Sequence, residues 1–302
     1  MIKRMKLLSF LLVFLGLSIG SFAQQDTIVN PNSVEKIPYY EQLYRFRVWR
    51  TVDLKEKQNA GFKSAKSDIA KFLLQSIQNG SITAYDDSVK NVRTPAQVLV
   101  SNTAIIEPPH SATKSYFINE TASYNGKNYE STRNDNKGHL PTETDWWQLS
   151  PSQTEYFTKD NIVAIQIVED VIFDKRRSRL YHDIQAIGLL AQKGGSTAIS
   201  PIAYVQYKEF YELVEKSAHS KDMNVRDEVL WRNRYNPSEN RSYVDAFKLR
   251  LFHGVIDKVE NPGDWSIMQI YANNNRSYGE AVFARWEEEM KMMEKEHNLW
   301  EY

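Results

Sequence analysis

The spacing of apolar and polar positions divides the chain into segments of different character. Between Tyr39 and Leu54, "YYEQLYRFRVWRTVDL" alternates Tyr44, Phe46 and Val48 with Arg45 and Arg47. A period of two predicts a strand with one face inward, although a short helix also fits these residues. In "SDIAKFLLQSIQNG", Ile69, Phe72, Leu73 and Ile77 share one helical face, Ser67 is placed to cap the start and Gly80 to end it. "SITAYDDS" reads as a short strand running into an acidic turn. Residues 107–145 are dominated by Pro, Ser, Thr, Asn, Lys and acids with scattered aromatics. They predict an irregular segment, either a long loop or an arm ordered by a partner.

From Ile162 the pattern turns β-rich. "IVAIQIVEDVIF" and "LYHDIQAIGLLA" are joined by "DKRRSR", and Gly194-Gly195 closes the second run. This predicts an antiparallel hairpin pairing 171–173 with the run from Leu180, and exposing Lys175, Arg176, Arg177 and Arg179 at or near its turn. "YKEFYELVEKS" puts Tyr207, Phe210, Tyr211 and Val214 on one helix face, and "SENRSYVDAFKLRLF" does the same with Tyr243, Phe247 and Leu251. "DWSIMQIY" reads as another short strand. The terminal "YGEAVFARWEEEMKMMEKEHNLWEY" predicts a long amphipathic helix, with Val282, Trp286, Met290, Met293, His297 and Trp300 spaced by threes and fours.

Strands and helices mixed without regular βαβ alternation predict an α+β fold: short strands in antiparallel hairpins, packed amphipathic helices and a C-terminal amphipathic helix. The expected layout is a flexible leader over 24–38, one domain over 39–277 and a helical tail over 278–302. A boundary near residue 145 is the alternative.

The N-terminus changes the picture of where the chain works. Lys3, Arg4 and Lys6 precede an apolar run from Leu7 to Ile19, and Ser21-Phe22-Ala23 offers small residues to a signal peptidase. Residues 1–23 therefore read as a cleaved secretory signal, the apolar run falling short of the roughly 18 residues a membrane span needs. Without it, 35 basic residues face 38 acidic ones. A weakly acidic chain is poorly suited to nucleic acid, where affinity rests on neutralising phosphates. Cysteine is absent, so neither disulfides nor a lipidated cysteine are available.

Candidate chemistry is sparse. The sequence holds no phosphate-binding loop, dinucleotide fingerprint, nucleophile elbow or H-E-x-x-H helix. Its histidines, at 110, 139, 182, 219, 253 and 297, never fall three or four apart, so local zinc-ligand pairs are missing. Adjacent acids at Asp86-Asp87 and Glu169-Asp170 hint at a carboxylate dyad, but neighbours on a strand point to opposite faces. The Trp146-Trp147 pair and other aromatics suit either core packing or sugar stacking. The basic turn lacks a glycine-rich nest for phosphate. It is either a solvated turn or, if functional, a protein contact, since arginine pairs readily with carboxylates at interfaces. The stripe of Trp286, Met290, Met293 and Trp300 has two open readings: packing on its own domain, or docking on a partner.

Several stretches, in order behind a signal peptide, carry a resemblance. "VWRTVDLKEKQN" (48–59), "GSITAYDD" (80–87), "VIFDKRRSRLYHDIQAIGLLA" (171–191) and "VLWRNRYNPSENRSYVDAFKLRLFHGVI" (229–256) together resemble the gliding motility family GldN, called PorN in non-gliding Bacteroidetes. The likeness runs from about Tyr39 to Tyr271. It implies a periplasmic, non-enzymatic component of the type IX secretion system that needs no cofactor. It further implies that the subunit self-associates in a ring with an outer-membrane lipoprotein of the GldK/PorK type, and contacts a motor protein of the GldM/PorM type. With such partners, the signal pattern and the missing lipidation cysteine predict peripheral attachment to the outer membrane through them, with no direct membrane insertion. The competing expectation is an exported protein that binds or hydrolyses envelope polysaccharide.

Overall fold

Two long strands carry the architecture. The computed structural model describes residues 28–87, 89–102, 107–150, 155–192, 198–236 and 238–299. The expected signal peptide, the first residues of the leader, Gly194-Gly195 and Trp300 lie outside them.

Strands β1 (Gln42–Asp53), β2 (Ala84–Tyr85), β3 (Val92–Arg93), β4 (Ile162–Asp174), β5 (Arg179–Gln192), β6 (Ile199–Gln206) and β7 (Val255–Val259) form one sheet in the order β7-β1-β4-β5-β6-β2-β3. Every pairing in it is antiparallel. Antiparallel pairing on both sides makes β1 a strand rather than the short helix that its residues also fit. Strands β4 and β5 form the expected hairpin, paired from Asp174↔Arg179 and Phe173↔Leu180 to Ile162↔Ala191. Together with the helices this is the α+β fold that the sequence predicts.

One face of the sheet holds the main core. Val52, Ile165, Ile187, Leu189 and Val205 meet helices α1 (Ile69–Gln78), α2 (Tyr207–Ala218) and α3 (Tyr243–Lys248). Phe62 stacks on Tyr243 and packs against Phe247, with centroid distances of 5.9 and 5.2 Å. Beside it, Val48, Val171 and Ile256 receive Ile267 of α4 (Ile267–Asn273) and Ala284 and Met292 of α5 (Tyr278–His297). Burial of each valine, leucine, isoleucine, phenylalanine or methionine among them is worth about 1.5–3 kcal/mol.

The structure corrects three local readings. Asp68, not Ser67, caps α1, accepting from the amides of Ala70 and Lys71. Ser67 is turned inward instead, with its hydroxyl against Leu230 O and 2.8 Å from the Tyr243 hydroxyl. "DWSIMQIY" is not a strand, because Ser266 and Gln269 form a reciprocal capping box that starts α4. Residues 107–150 are not irregular. Thr121–Tyr124, Lys127–Ser131 and Trp147–Leu149 make a three-stranded sheet around Trp147, Tyr116 and Ala122. Its hairpin turns at Asn125-Gly126, with φ of +48° and +74°, a conformation that Asn-Gly adopts readily.

Residues 28–38 of the leader, expected to be flexible, are docked on the sheet. Strand β6 pairs with β5 only from Ala186 onward, which leaves the earlier part of β5 without that neighbour. There Asn30 donates to Gln185 at 2.8 Å, the Ser33 hydroxyl donates to Asp183, and Ile37 is buried.

Candidate functional site

The adjacent acids of β4 point to opposite faces of the sheet, and each is claimed by arginine. Asp170 accepts from Arg47 Nε at 2.6 Å and Nη2 at 3.0 Å. Glu169, with a fully buried side chain, meets Arg50 Nε at 3.2 Å and Arg250 Nη1 at 2.8 Å, while His182 Nδ1 lies 3.4 Å away without hydrogen-bond alignment. Arg50 also reaches Glu289 of α5 and donates to Gly254 O at 3.0 Å. Arg250 stands just past α3 with φ +52°, in the left-handed region where side chains other than glycine are strained.

The electrostatics follow from these partners. Desolvation would raise the Glu169 carboxyl, but Arg250, His182 and Arg50 outweigh it and hold that carboxyl well below its ordinary value. Burial opposes the charge of Arg50, and Glu169 and Glu289 more than restore it. On the opposite face, burial pushes Asp183 up to about 6, against hydrogen bonds from Ser33 and Gln185 and with a further push from Asp170. Carboxylates fixed to arginines in this way serve as structural pins. A glycosidase instead needs two carboxylates facing a common sugar, and Glu169 and Asp170 do not share a face.

The basic turn is exposed at all of its cationic positions, but two of them are already engaged. Arg176 Nη1 is 3.0 Å from Glu41, and Arg177 Nη1 is 2.6 Å from Asp174, with Glu41 at 3.6 Å. Both acids are buried. Their arginines therefore tie the hairpin tip to the start of β1, a role the sequence did not reveal. Arg179 lies over the Tyr181 ring at 5.4 Å, and Lys175 joins the tip through its amide, which donates to Glu41 O at 2.9 Å.

Helix α5 presents two unlike faces. Ala281, Ala284 and Met292 face the sheet, and Arg285 binds Ile256 O at 3.2 Å and the Asp257 carboxylate. Glu289 is also on the inward side, bonded to Arg50, whereas Glu287 is exposed. Outward stand Trp286, Met290 and Met293, which are 50%, 62% and 56% exposed. Phe283, absent from the sequence-derived stripe, joins them at 72%. Its signal was its spacing: 283, 286, 290 and 293 repeat by three, four and three. The Trp286 ring lies tilted beside the His253 ring, with centroids 5.8 Å apart. The C-terminal half of α5 runs toward the hairpin tip, where Lys295 sits 4.2 Å from the Tyr44 ring and Tyr44 stacks on Phe173.

The open face of the sheet holds a polar cleft of about 740 Å³ lined by Asn32, Gln166, Gln185, Gln206 and Trp49, among others. Amides and an indole suit a glycan in principle. However, Lys258 Nζ sits 3.7 Å from the centroid of Trp49, which occupies a face of the ring that a sugar would stack on. The other tryptophan pair is no freer: Trp147 is buried, and Trp146 stacks on His139 at 3.9 Å. Among the described residues no group of three or more histidines and carboxylates is placed to hold a metal ion, and no helix is long and apolar enough to cross a membrane.

No curated protein matches the chain. The family model described as "Gliding motility associated protein GldN" matches residues 37–301. This span takes in the small β unit at 107–150 and helix α5, which lie outside the motifs that first carried the resemblance. The chain belongs to the GldN family, a structural family of gliding motility and type IX secretion.

Proposed function

We propose that this protein is a non-enzymatic periplasmic subunit of the type IX secretion and gliding machinery, exported by the signal at residues 1–23 and maturing at Gln24. In this reading it assembles into a ring with an outer-membrane lipoprotein of the GldK/PorK type, contacts a GldM/PorM-type motor component, and is held at the outer membrane through those partners. The observation that carries the proposal is the family match over nearly the whole chain. The geometry supports it: Glu169 and Asp170, one of the two acid pairs that hinted at catalysis, are spent on Arg47, Arg50 and Arg250, whereas the exposed apolar row on α5 is left for contacts. Residues 39–277 act as the assembly body, and 278–302 as an arm attached to it through the inner face of α5.

The test is purification from the native envelope under mild detergent. The protein is expected to co-purify with an outer-membrane lipoprotein, and mass spectrometry of its N-terminus is expected to read from Gln24. Recovery as a free protein with residues 1–23 still attached would overturn the proposal.

A further inference from the structure

The outward row of α5 follows a heptad. Phe283, Trp286, Met290 and Met293 occupy alternating first and fourth positions, the spacing by which one helix presents a continuous seam to another. All four are at least half exposed, while Ala281, Ala284 and Met292 hold the opposite side of the helix on the sheet. The helix is therefore already positioned by its own domain, and its seam is left uncovered. An exposed contiguous apolar strip of this kind marks an interaction site.

The flanks of the seam state what fits it. The residues that border a heptad seam decide pairing by charge. Glu287 and Glu294 follow Trp286 and Met293 on one side, both exposed. On the other side Glu296 borders the seam half-buried, and Glu289 is turned inward to Arg50. The border charge left free is therefore acidic. The nearby cations are turned elsewhere: Arg285 to Asp257, Lys291 to Glu288 at 2.6 Å, and Lys295 over the Tyr44 and Phe46 rings. A second copy of the same helix would set glutamate against glutamate in either orientation, and an anionic lipid surface would be repelled in the same way.

We infer that α5 docks against an amphipathic helix of a different protein, one whose apolar stripe is bordered by lysine and arginine. The inference rests on reading the chain as an assembly subunit and adds the chemistry of one partner. The seam supplies contact area, and the acidic borders select a basic helix and reject self-pairing.

Two synthetic three-heptad peptides test this on the full mature chain. Both carry leucine along the seam; one has lysine at every bordering position and the other glutamate. The lysine peptide is expected to bind at least ~10-fold more tightly than the glutamate peptide, with affinity falling as salt rises. Met290→Ser should abolish the contact while leaving the melting temperature in place, since Met290 is exposed. The double variant Glu287→Lys with Glu294→Lys should reverse the preference between the peptides. Equal binding of the two, no binding of the lysine peptide, or insensitivity to Met290→Ser would overturn the inference. So would a concentration-dependent dimer that Met290→Ser dissolves, or seam-dependent binding to anionic vesicles. A protein that forms rings but ignores the lysine peptide would sink this inference and leave the proposed function standing; one that binds the peptide but never assembles would do the reverse.

Discussion

Replacing Glu169 with glutamine removes one charge from a deeply buried ionic centre. Glu169 is fully buried, Arg50 has only 5% of its side chain exposed, and Arg250 has 31%. Removing one partner from a buried ion pair typically costs about 3–5 kcal/mol, because the remaining charge is left desolvated. Arg50 keeps Glu289 and Gly254 O, so the lower end applies, and Glu169→Gln should destabilise the fold by about 3 kcal/mol. Urea unfolding of wild type and variant reads this directly, through a lower midpoint at an unchanged slope. The pH dependence supplies a second reading with a fixed sign. The folded carboxyl is held well below its ordinary value of 4.5. Its stabilisation is therefore complete above that value and is lost as pH falls below it toward the folded pKa, because the unfolded chain binds the proton first. The variant should lack this part of the acid limb. A change within about 0.5 kcal/mol, the range of ordinary surface substitutions, or an acid limb identical to wild type would refute the claim that Glu169 pins the sheet.

Asp183 is expected to behave oppositely: its folded pKa is raised to about 6, so stability falls as pH rises from the ordinary carboxylate range to about 6. Asp183→Asn should then gain up to about 3 kcal/mol near pH 7.5, at 1.36 kcal/mol per pKa unit, and lose that advantage by pH 4, as read by melting temperature across pH. Gly188→Ala should cost about 1–3 kcal/mol, since a Cβ there would lie 2.5 Å from the Tyr204 ring; unchanged urea unfolding would count against the packing described. Reversing Arg176 and Arg177 to glutamate should lower the urea midpoint, because Glu41 and Asp174 are buried beside them and would then face like charge; an unchanged midpoint would count against a role for these arginines in tying down the hairpin tip. Lys175→Glu with Arg179→Glu should leave unfolding unchanged, and should weaken ring assembly if the tip meets an acidic neighbour.

The hairpin was legible because its two runs are long, β-rich and interrupted by a single charged turn. Helix α1 was legible from its apolar face, yet its cap was misplaced by one residue because Ser67 and Asp68 are both capping types, and only tertiary contacts turn Ser67 inward. The small β unit was hidden by polar composition, although "YNGKN" carried the Asn-Gly signal for a tight hairpin. "SIMQ" likewise held the capping pattern that makes α4 a helix. The arginine pins were not legible at all. Arg47 and Arg50 meet their acids across strands more than a hundred residues apart in sequence, and a single sequence carries no pairing register. The seam on α5 was half legible: its spacing was visible, but which side faced the domain depended on Ala281, Ala284 and Met292, residues too small or too few to outweigh tryptophan in a sequence pattern.

The central claim is that this chain is a building unit of a secretion and motility assembly. Electron microscopy of particles purified from the native envelope through this protein tests it most directly. The account predicts closed rings in which the protein repeats together with an outer-membrane lipoprotein. Dispersed single copies, with no lipoprotein and no ring at any protein concentration, would contradict it.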